Sequence, residues 1–97
     1  MNRAAILQLL SERLPEVRAR YGVGRLALFG SAARDELRPD SDVDVLVEFE
    51  GRTTFDHFFD LRDYLQQLLG RRVDLVTNQG LKPRARRHVE KDLVRVA

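Results

Sequence analysis

The sequence contains no cysteine and no long apolar run. Without cysteine, the protein cannot form disulfide bonds or a zinc site with thiolate ligands. Its apolar runs extend over about four residues, whereas a membrane-spanning helix needs about 20. The N-terminus also lacks the pattern of a signal peptide. We therefore expect a protein of the cytoplasm that does not insert into membranes.

The length and composition predict one folded domain. A chain of 97 residues has room for one modest hydrophobic core. Hydrophobic residues make up 43% and charged residues 33%, which is too apolar for a disordered chain. We expect a single domain that spans residues 1–97.

Charge is distributed unevenly along the chain. Residues 35–60 contain nine acids and two bases, whereas residues 1–34 and 80–97 each contain six bases and two acids. A negative segment in an otherwise basic protein fits a metal site whose surroundings hold an anion such as a nucleotide. Ordinary solvated surface explains part of this charge, but it does not explain aspartates that adjoin an apolar run.

Apolar periodicity and turn residues predict a small α/β domain. Helical spacing, short β-branched runs and glycine or proline at the boundaries define the elements. The predicted helices are 3–12, a short helix 15–20 that starts at Pro15, 31–34 with Ser31 as N-cap, 53–69 with Thr53 or Thr54 as cap, and 83–92 from Pro83. The predicted strands are 25–29, 42–49, 73–76 and 93–96. This order predicts a mixed sheet of three to four strands flanked by helices.

The phenylalanines of the predicted helix 53–69 lie at helical spacing with its leucines. We interpret Phe55, Phe58 and Phe59 as core residues rather than as a platform on which bases stack.

Carboxylates and a Gly-Ser turn are predicted to meet at one edge of the sheet. Gly30-Ser31 ends one apolar strand, and Asp42 and Asp44 begin the next. Residues two apart on a strand point to the same side, so we expect these two carboxylates to lie together. Close carboxylates repel unless a cation lies between them, and a divalent metal is the usual cation.

Asp74 lies in the third apolar strand, where an unpaired buried carboxylate would be costly. It either pairs structurally or joins Asp42 and Asp44 in a site for one or two Mg²⁺ ions that also bind substrate phosphate. Gly30 would let the backbone approach a triphosphate, and Ser31 would add a hydroxyl donor.

These runs resemble the nucleotidyltransferase superfamily that includes DNA polymerase beta. The resemblance rests on Leu28-Phe29-Gly30-Ser31, Ser41-Asp42-Val43-Asp44 and Val73-Asp74-Leu75-Val76. More narrowly, the chain resembles the minimal nucleotidyltransferases (MNT proteins), the antitoxins of HEPN/MNT toxin–antitoxin pairs.

The resemblance implies a fold, a reaction and a partner. The fold would be that of the polymerase beta-like nucleotidyltransferases. Asp42, Asp44 and Asp74 would bind Mg²⁺ and act in catalysis, while Gly30, Ser31, Ser41 and Arg34 would bind the nucleotide. The enzyme would transfer AMP from ATP to a hydroxyl, typically of a tyrosine, on a HEPN-type ribonuclease toxin. That toxin would be the partner in a hetero-oligomer.

One position departs from the family pattern. Many relatives have glycine where this chain has Asp35, and glycine suits a left-handed helix end better than aspartate does. Arg34, next to it, either contacts phosphate or anchors the loop.

The C-terminal segment is basic, with Lys82, Arg84, Arg86, Arg87 and Lys91 close together. It is either a solvated helix face or a docking surface for an acidic partner. Direct nucleic-acid binding is not expected, because no aromatic residues alternate with these bases for stacking.

Two alternatives to a protein adenylyltransferase remain. An antitoxin could neutralise its toxin by binding alone, although a pure binder does not need converging acids. The same chemistry could act on RNA or a small molecule, but such enzymes usually carry a second domain for the acceptor.

Overall fold

The computed structural model describes residues 1–52 and 55–96. The helices in these residues are α1 (Arg3–Tyr21), α2 (Gly30–Ala33), α3 (Phe55–Leu69) and α4 (Pro83–Lys91). The strands are β1 (Val23–Phe29), β2 (Val43–Phe49), β3 (Val73–Thr77) and β4 (Val94–Arg95), with a 3₁₀ turn at Asn78–Gly80. The predicted cap at Thr53 or Thr54 lies outside the described residues. None of the described helices is long and apolar enough to cross a membrane.

The strands form a mixed four-stranded sheet in the order β3-β2-β1-β4. β1 pairs antiparallel with both β2 and β4, whereas β2 and β3 are parallel. The predicted α/β architecture is therefore confirmed, and the short segment near the C-terminus is the fourth strand.

The hydrophobic core is formed by the sheet together with α1 and α3, which also contact each other. α1 contributes Ile6, Leu10 and Val17, and α3 contributes Leu61 and Leu65. All five side chains are almost completely buried. The core thus holds β1 and β2 rigidly, and these strands carry the turn and the carboxylates predicted from the sequence.

The prediction of two N-terminal helices separated near Leu14 was wrong. α1 runs without interruption through Pro15 and ends at Gly22, which adopts a left-handed conformation with φ 68°. Proline inside a helix removes one hydrogen bond and costs about 3 kcal/mol. Because Leu10 and Val17 on either side of Pro15 are both buried, packing of the continuous apolar face outweighs this cost.

The prediction that Ser31 caps α2 was also wrong. α2 begins at Gly30, Phe29 occupies the N-cap position, and no side chain forms a capping hydrogen bond. The cap lies two residues earlier than predicted because the last residue of β1 leads directly into the helix.

The interpretation of the phenylalanines as core was wrong at two of the three positions. Phe55 is 82% exposed and Phe59 is 44% exposed, whereas Phe58 is partly buried and packs against the core. The buried side of α3 is set by Leu61 and Leu65. At 3.6 residues per turn, Phe58 lies on the same side as these leucines, while Phe55 and Phe59 do not.

Candidate active site

Gly30 forms a turn that only glycine fits. Its φ is 63°, in the left-handed region, and a Cβ atom built at this position would collide with the carboxylate of Asp44. The sequence predicted close approach of this backbone to a phosphate. In the structure, the same absence of a side chain brings the turn into contact with Asp44.

The strand register brings Asp44 and Asp74 together. Phe29, at the end of β1, pairs with Asp44 across the antiparallel β1–β2 ladder. Asp44 in turn pairs with Asp74 across the parallel β2–β3 ladder. β2 and β3 are therefore neighbours in the sheet, and one edge of the sheet carries the Gly30 turn and both carboxylates.

The carboxylate of Asp44 is held in an unfavourable environment for a negative charge. Burial, the charges of Asp74 and Asp42, and a hydrogen bond with Asp74 raise the pKa of Asp44 from 3.8 to about 6. The positive charge of Arg34 opposes this rise only in part. An added cation at this position would therefore stabilise the ionised carboxylates.

Asp74 is exposed and forms a hydrogen bond with Asp44, so its carboxylate is neither buried nor unpaired. The side chain lies at the surface next to the half-buried Asp44. It is thus accessible to a second substrate while it remains paired with Asp44.

Asp42 precedes β2 and is engaged with a base. Its Oδ1 accepts an ion-pair contact of 3.2 Å from Nε of Arg72. In residues 1–52 and 55–96, no three histidine, cysteine, aspartate or glutamate side chains lie close enough together to hold a metal ion. The structure therefore pairs Asp44 with Asp74 and leaves Asp42 bound to Arg72.

The chemistry of these side chains nevertheless fits a hard divalent cation. All three predicted ligands are carboxylates, which are the ligands that Mg²⁺ prefers. The raised pKa of Asp44 marks negative charge that the protein itself does not fully compensate. Asp42 can join the pair because an exposed ion pair such as that with Arg72 contributes only about 0–1 kcal/mol.

A loop before β2 is fixed by an arginine that the sequence analysis missed. Nη2 of Arg71 donates hydrogen bonds to the backbone carbonyl oxygens of Arg38 and Ser41, the latter at 2.9 Å. The Ser41 hydroxyl accepts a bond of 3.2 Å from the Arg38 backbone N–H. Arg71 and Arg72 directly precede β3, the strand that carries Asp74. This position next to a site strand was the one sequence signal that could have indicated their role.

The Ser31 hydroxyl is available to a ligand. Ser31 lies in α2 and is partly buried. Its side chain makes no hydrogen bond within the described part of the chain. α2 has only four residues, so its N-terminus adds little of the dipole that a long helix provides. Individual hydrogen-bond donors of Gly30 and Ser31, rather than the helix dipole, are therefore the groups that could bind a ligand at this turn.

Arg34 anchors the turn to the C-terminal segment. Its guanidinium contacts Asp92 at 2.7 Å and Glu36 at 3.1 Å. Hydrogen bonds to Asp92 and then to Glu36 raise the pKa of Arg34. Of the two roles that the sequence left open, the structure favours loop anchoring.

Asp35 adopts the left-handed conformation that glycine would suit better at this position. Its φ is 59°, and its Oδ1 accepts a 2.8 Å hydrogen bond from the backbone N–H of Arg3. Nη1 of Arg3 donates in turn to the Ala33 carbonyl oxygen at 2.9 Å. These contacts with the start of α1 compensate for the conformational cost of a non-glycine residue.

The carboxylate edge opens onto a shallow surface. A cavity of about 290 Å³ next to it is lined by Ser41, Asp42 and Arg71 among others. A larger cavity of about 520 Å³ lies at the opposite end of β2 and β3, around Glu48 and Asn78. The carboxylate edge is therefore not enclosed by the residues that the structure describes.

Comparison with known proteins identifies close relatives. Residues 10–96 match the family described as nucleotidyltransferase domain. The protein adenylyltransferase MntA of Thermococcus cleftensis is 42% identical over 91 residues, which cover 94% of this chain and 92% of that protein.

Solved structures share the fold. A structure provisionally named as a minimal nucleotidyltransferase is 40% identical with a TM-score of 0.82, covering 97% of this chain and 95% of that one. A complex of tri-AMPylated Shewanella oneidensis HEPN toxin with MNT antitoxin matches with a TM-score of 0.68, covering 94% of this chain and 71% of that one. At 18% identity, the second likeness concerns the fold alone.

Proposed function

Because the chain belongs to the nucleotidyltransferase domain family, we propose that it transfers AMP from ATP to a hydroxyl group of a partner protein. One observation carries the proposal: Asp44 and Asp74 are paired across β2 and β3 beside the Gly30 turn. The name of the Thermococcus cleftensis relative, a protein adenylyltransferase, supports AMP as the transferred group.

Asp42, Asp44 and Asp74 would hold one or two Mg²⁺ ions, which would neutralise charge on the phosphate oxygens. Asp74 is exposed, so its carboxylate can orient the acceptor hydroxyl and take up its proton. The hydroxyl oxygen forms a bond to the α-phosphorus, and the bond from that phosphorus to the bridging oxygen breaks, releasing pyrophosphate. Asp42 and Asp44 hold the nucleotide in place for this attack.

The remaining site residues bind the nucleotide phosphates. The Gly30 backbone and the Ser31 hydroxyl hold the β- and γ-phosphates, since Gly30 has no side chain to keep a phosphate away and the Ser31 hydroxyl makes no hydrogen bond within the described residues. Ser41 and Arg34 border the nucleotide, where Ser41 belongs to the loop held by Arg71 and Arg34 ties the turn to Asp92.

The acceptor is a HEPN-type toxin, and AMP transfer to its tyrosine neutralises it. The Shewanella oneidensis complex, an AMPylated HEPN toxin with an MNT antitoxin, supports this class of partner. The open carboxylate edge also suits an acceptor that arrives on its own scaffold. We propose that the reaction takes place in the cytoplasm, where ATP is available as the donor, and that residues 1–97 act as a single minimal domain.

Transfer of label from ATP carrying a radioactive α-phosphate tests the proposal. The acceptor is the HEPN-type protein encoded next to this chain, and the reaction contains Mg²⁺. Wild type labels the acceptor, whereas Asp42→Asn/Asp44→Asn does not. Asp56→Asn/Asp60→Asn is the matched control, because both aspartates are exposed on α3 and the charge change is the same.

Two further outcomes separate the proposal from neutralisation by binding alone. If wild type forms a tight complex but transfers no label, the aspartates are not catalytic and the adenylyltransferase proposal is wrong. Removal of divalent cations with a chelator abolishes labelling, and added Mg²⁺ restores it. Undiminished labelling after chelation would contradict the metal assignment.

A further inference from the structure

The outward face of α4 carries a stripe of positive charge. Val89 is the only buried residue of this helix. Arg84, Arg87 and Lys91 are separated by three and four residues, so at 3.6 residues per turn they align on one side, opposite Val89. All three are exposed. We call these three residues the α4 stripe.

The α4 stripe is not neutralised within the described residues. None of its three side chains forms an ion pair with a carboxylate of residues 1–52 or 55–96. Glu90 lies on the same helix but at a different angle, and Asp92 is already paired with Arg34. Like charges three and four residues apart destabilise a helix, whereas Lys91, in the last turn of α4, interacts favourably with the helix dipole. Arg84 and Arg87 therefore have no compensating contact within the described residues.

The other basic residues in and next to α4 that are close to the α4 stripe do not belong to it. Arg86 lies on a different side of the helix and donates a 3.2 Å hydrogen bond to the Asn78 carbonyl oxygen. Lys82 precedes the helix as its N-cap residue. The α4 stripe is thus a defined subset of the basic C-terminal segment.

The C-terminal end of α4 is tied to the active-site edge. Asp92, the residue after α4, bonds to Arg34, which follows the Gly30-Ser31 turn. β4 then pairs with β1, with Val94 opposite Leu28. Lys91, at one end of the α4 stripe, is thus followed directly by the residue that contacts Arg34 beside the Gly30-Ser31 turn.

We infer that the α4 stripe docks an acidic surface of the acceptor protein and so brings its hydroxyl to the active site. This inference rests on the proposed function and adds how the acceptor is recognised. An acidic protein surface supplies the counter-charges that the helix lacks. Nucleic acid fits less well, because α4 contains no phenylalanine, tyrosine or tryptophan on which bases could stack.

Charge reversal on the α4 stripe tests the inference. We compare Arg84→Glu/Arg87→Glu with the control Arg13→Glu/Arg18→Glu, which makes the same charge change at exposed positions of α1. The Kd for the HEPN-type protein encoded next to this chain is measured without ATP, at low and high salt. The stripe variant binds at least ~10-fold more weakly at low salt, and the difference shrinks at high salt. The control changes the Kd by less than about 3-fold.

Kinetics and folding controls complete the test. Near-UV and thermal circular dichroism check that each variant is folded. The further variant Arg84→Gln/Arg87→Gln removes the two positive charges without adding negative ones, so it weakens binding without introducing repulsion between the variant and an acidic acceptor. For the stripe variants, KM for the acceptor rises while the rate at saturating acceptor stays within about 3-fold of wild type.

Two results would overturn the inference. One is an unchanged acceptor Kd in the stripe variant. The other is a loss of binding to a short single-stranded RNA with acceptor binding intact, which would make the stripe a nucleic-acid surface. If the stripe variant labels the acceptor normally and its Kd for the acceptor is unchanged, the docking inference is wrong but the proposed function stands. If acceptor binding depends on the stripe but wild type transfers no label, the proposed function is wrong but the docking inference stands.

Discussion

Replacement of Asp44 by asparagine should stabilise the metal-free protein while it abolishes AMP transfer. Burial and the neighbouring carboxylate of Asp74 raise the pKa of Asp44 to about 6 from its ordinary value of 3.8. A rise of this size corresponds to about 3 kcal/mol in full. Because Asp44 is only half-buried, solvent screening reduces the expected gain to about 1–1.5 kcal/mol.

The sign of the pH dependence follows from the direction of this shift. The folded protein binds the Asp44 proton more tightly than the unfolded chain does, so ionised Asp44 destabilises the fold above pH 6. The penalty is relieved as pH falls from about 6 to about 4. The asparagine side chain of the Asp44→Asn variant would carry no charge at either pH and could still donate a hydrogen bond to Asp74.

Urea unfolding of wild type and Asp44→Asn in the presence of a chelator measures the effect. The variant should be more stable by about 1–1.5 kcal/mol above pH 7, and the difference should vanish near pH 4. Asp60→Asn, at an exposed position of α3, serves as the control and should change little at either pH. A less stable Asp44→Asn, or a difference that does not depend on pH, would refute the reasoning.

Three further substitutions test other parts of the account. Gly30→Ala should destabilise the fold by at least about 1–2 kcal/mol, from the left-handed φ alone, and should abolish transfer through its collision with Asp44; activity near wild type would contradict this. Arg71→Met should cost about 1–2 kcal/mol and raise KM for ATP through the freed loop at Ser41, so a KM equal to wild type would show that this loop does not position the site. Pro15→Ala should stabilise the protein in thermal unfolding by about 1–2 kcal/mol, because it restores a helical hydrogen bond. A loss of stability in the Pro15→Ala variant would contradict the cost assigned here to Pro15 within α1.

Much of the carboxylate edge could be predicted from the sequence because it depends on local pattern. Short apolar runs with Asp44 and Asp74 at their starts defined two strands, and one intervening helix made those strands neighbours in the sheet. Gly30 was singled out as a turn, and its left-handed φ agrees. The left-handed conformation expected beside Arg34 also exists, at Asp35.

The errors and omissions have a common physical cause. Proline and phenylalanine were judged by local rules, but Pro15 lies in a helix whose buried face holds it together. Phe55 and Phe59 fit a broad apolar stripe, although only the narrower face with Leu61 reaches the core. The ion pair of Arg72 with Asp42 joins residues far apart in the chain, which no local pattern specifies.

The rate of AMP transfer by Asp74→Asn tests the central claim most directly. Intact-mass spectrometry follows the appearance of AMP on the HEPN-type acceptor, with saturating ATP and Mg²⁺. If Asp74 binds the metal and receives the acceptor proton, the rate should fall by at least ~100-fold while complex formation is unchanged. A rate within about 3-fold of wild type would contradict the assignment of the Asp44–Asp74 pair as the catalytic centre.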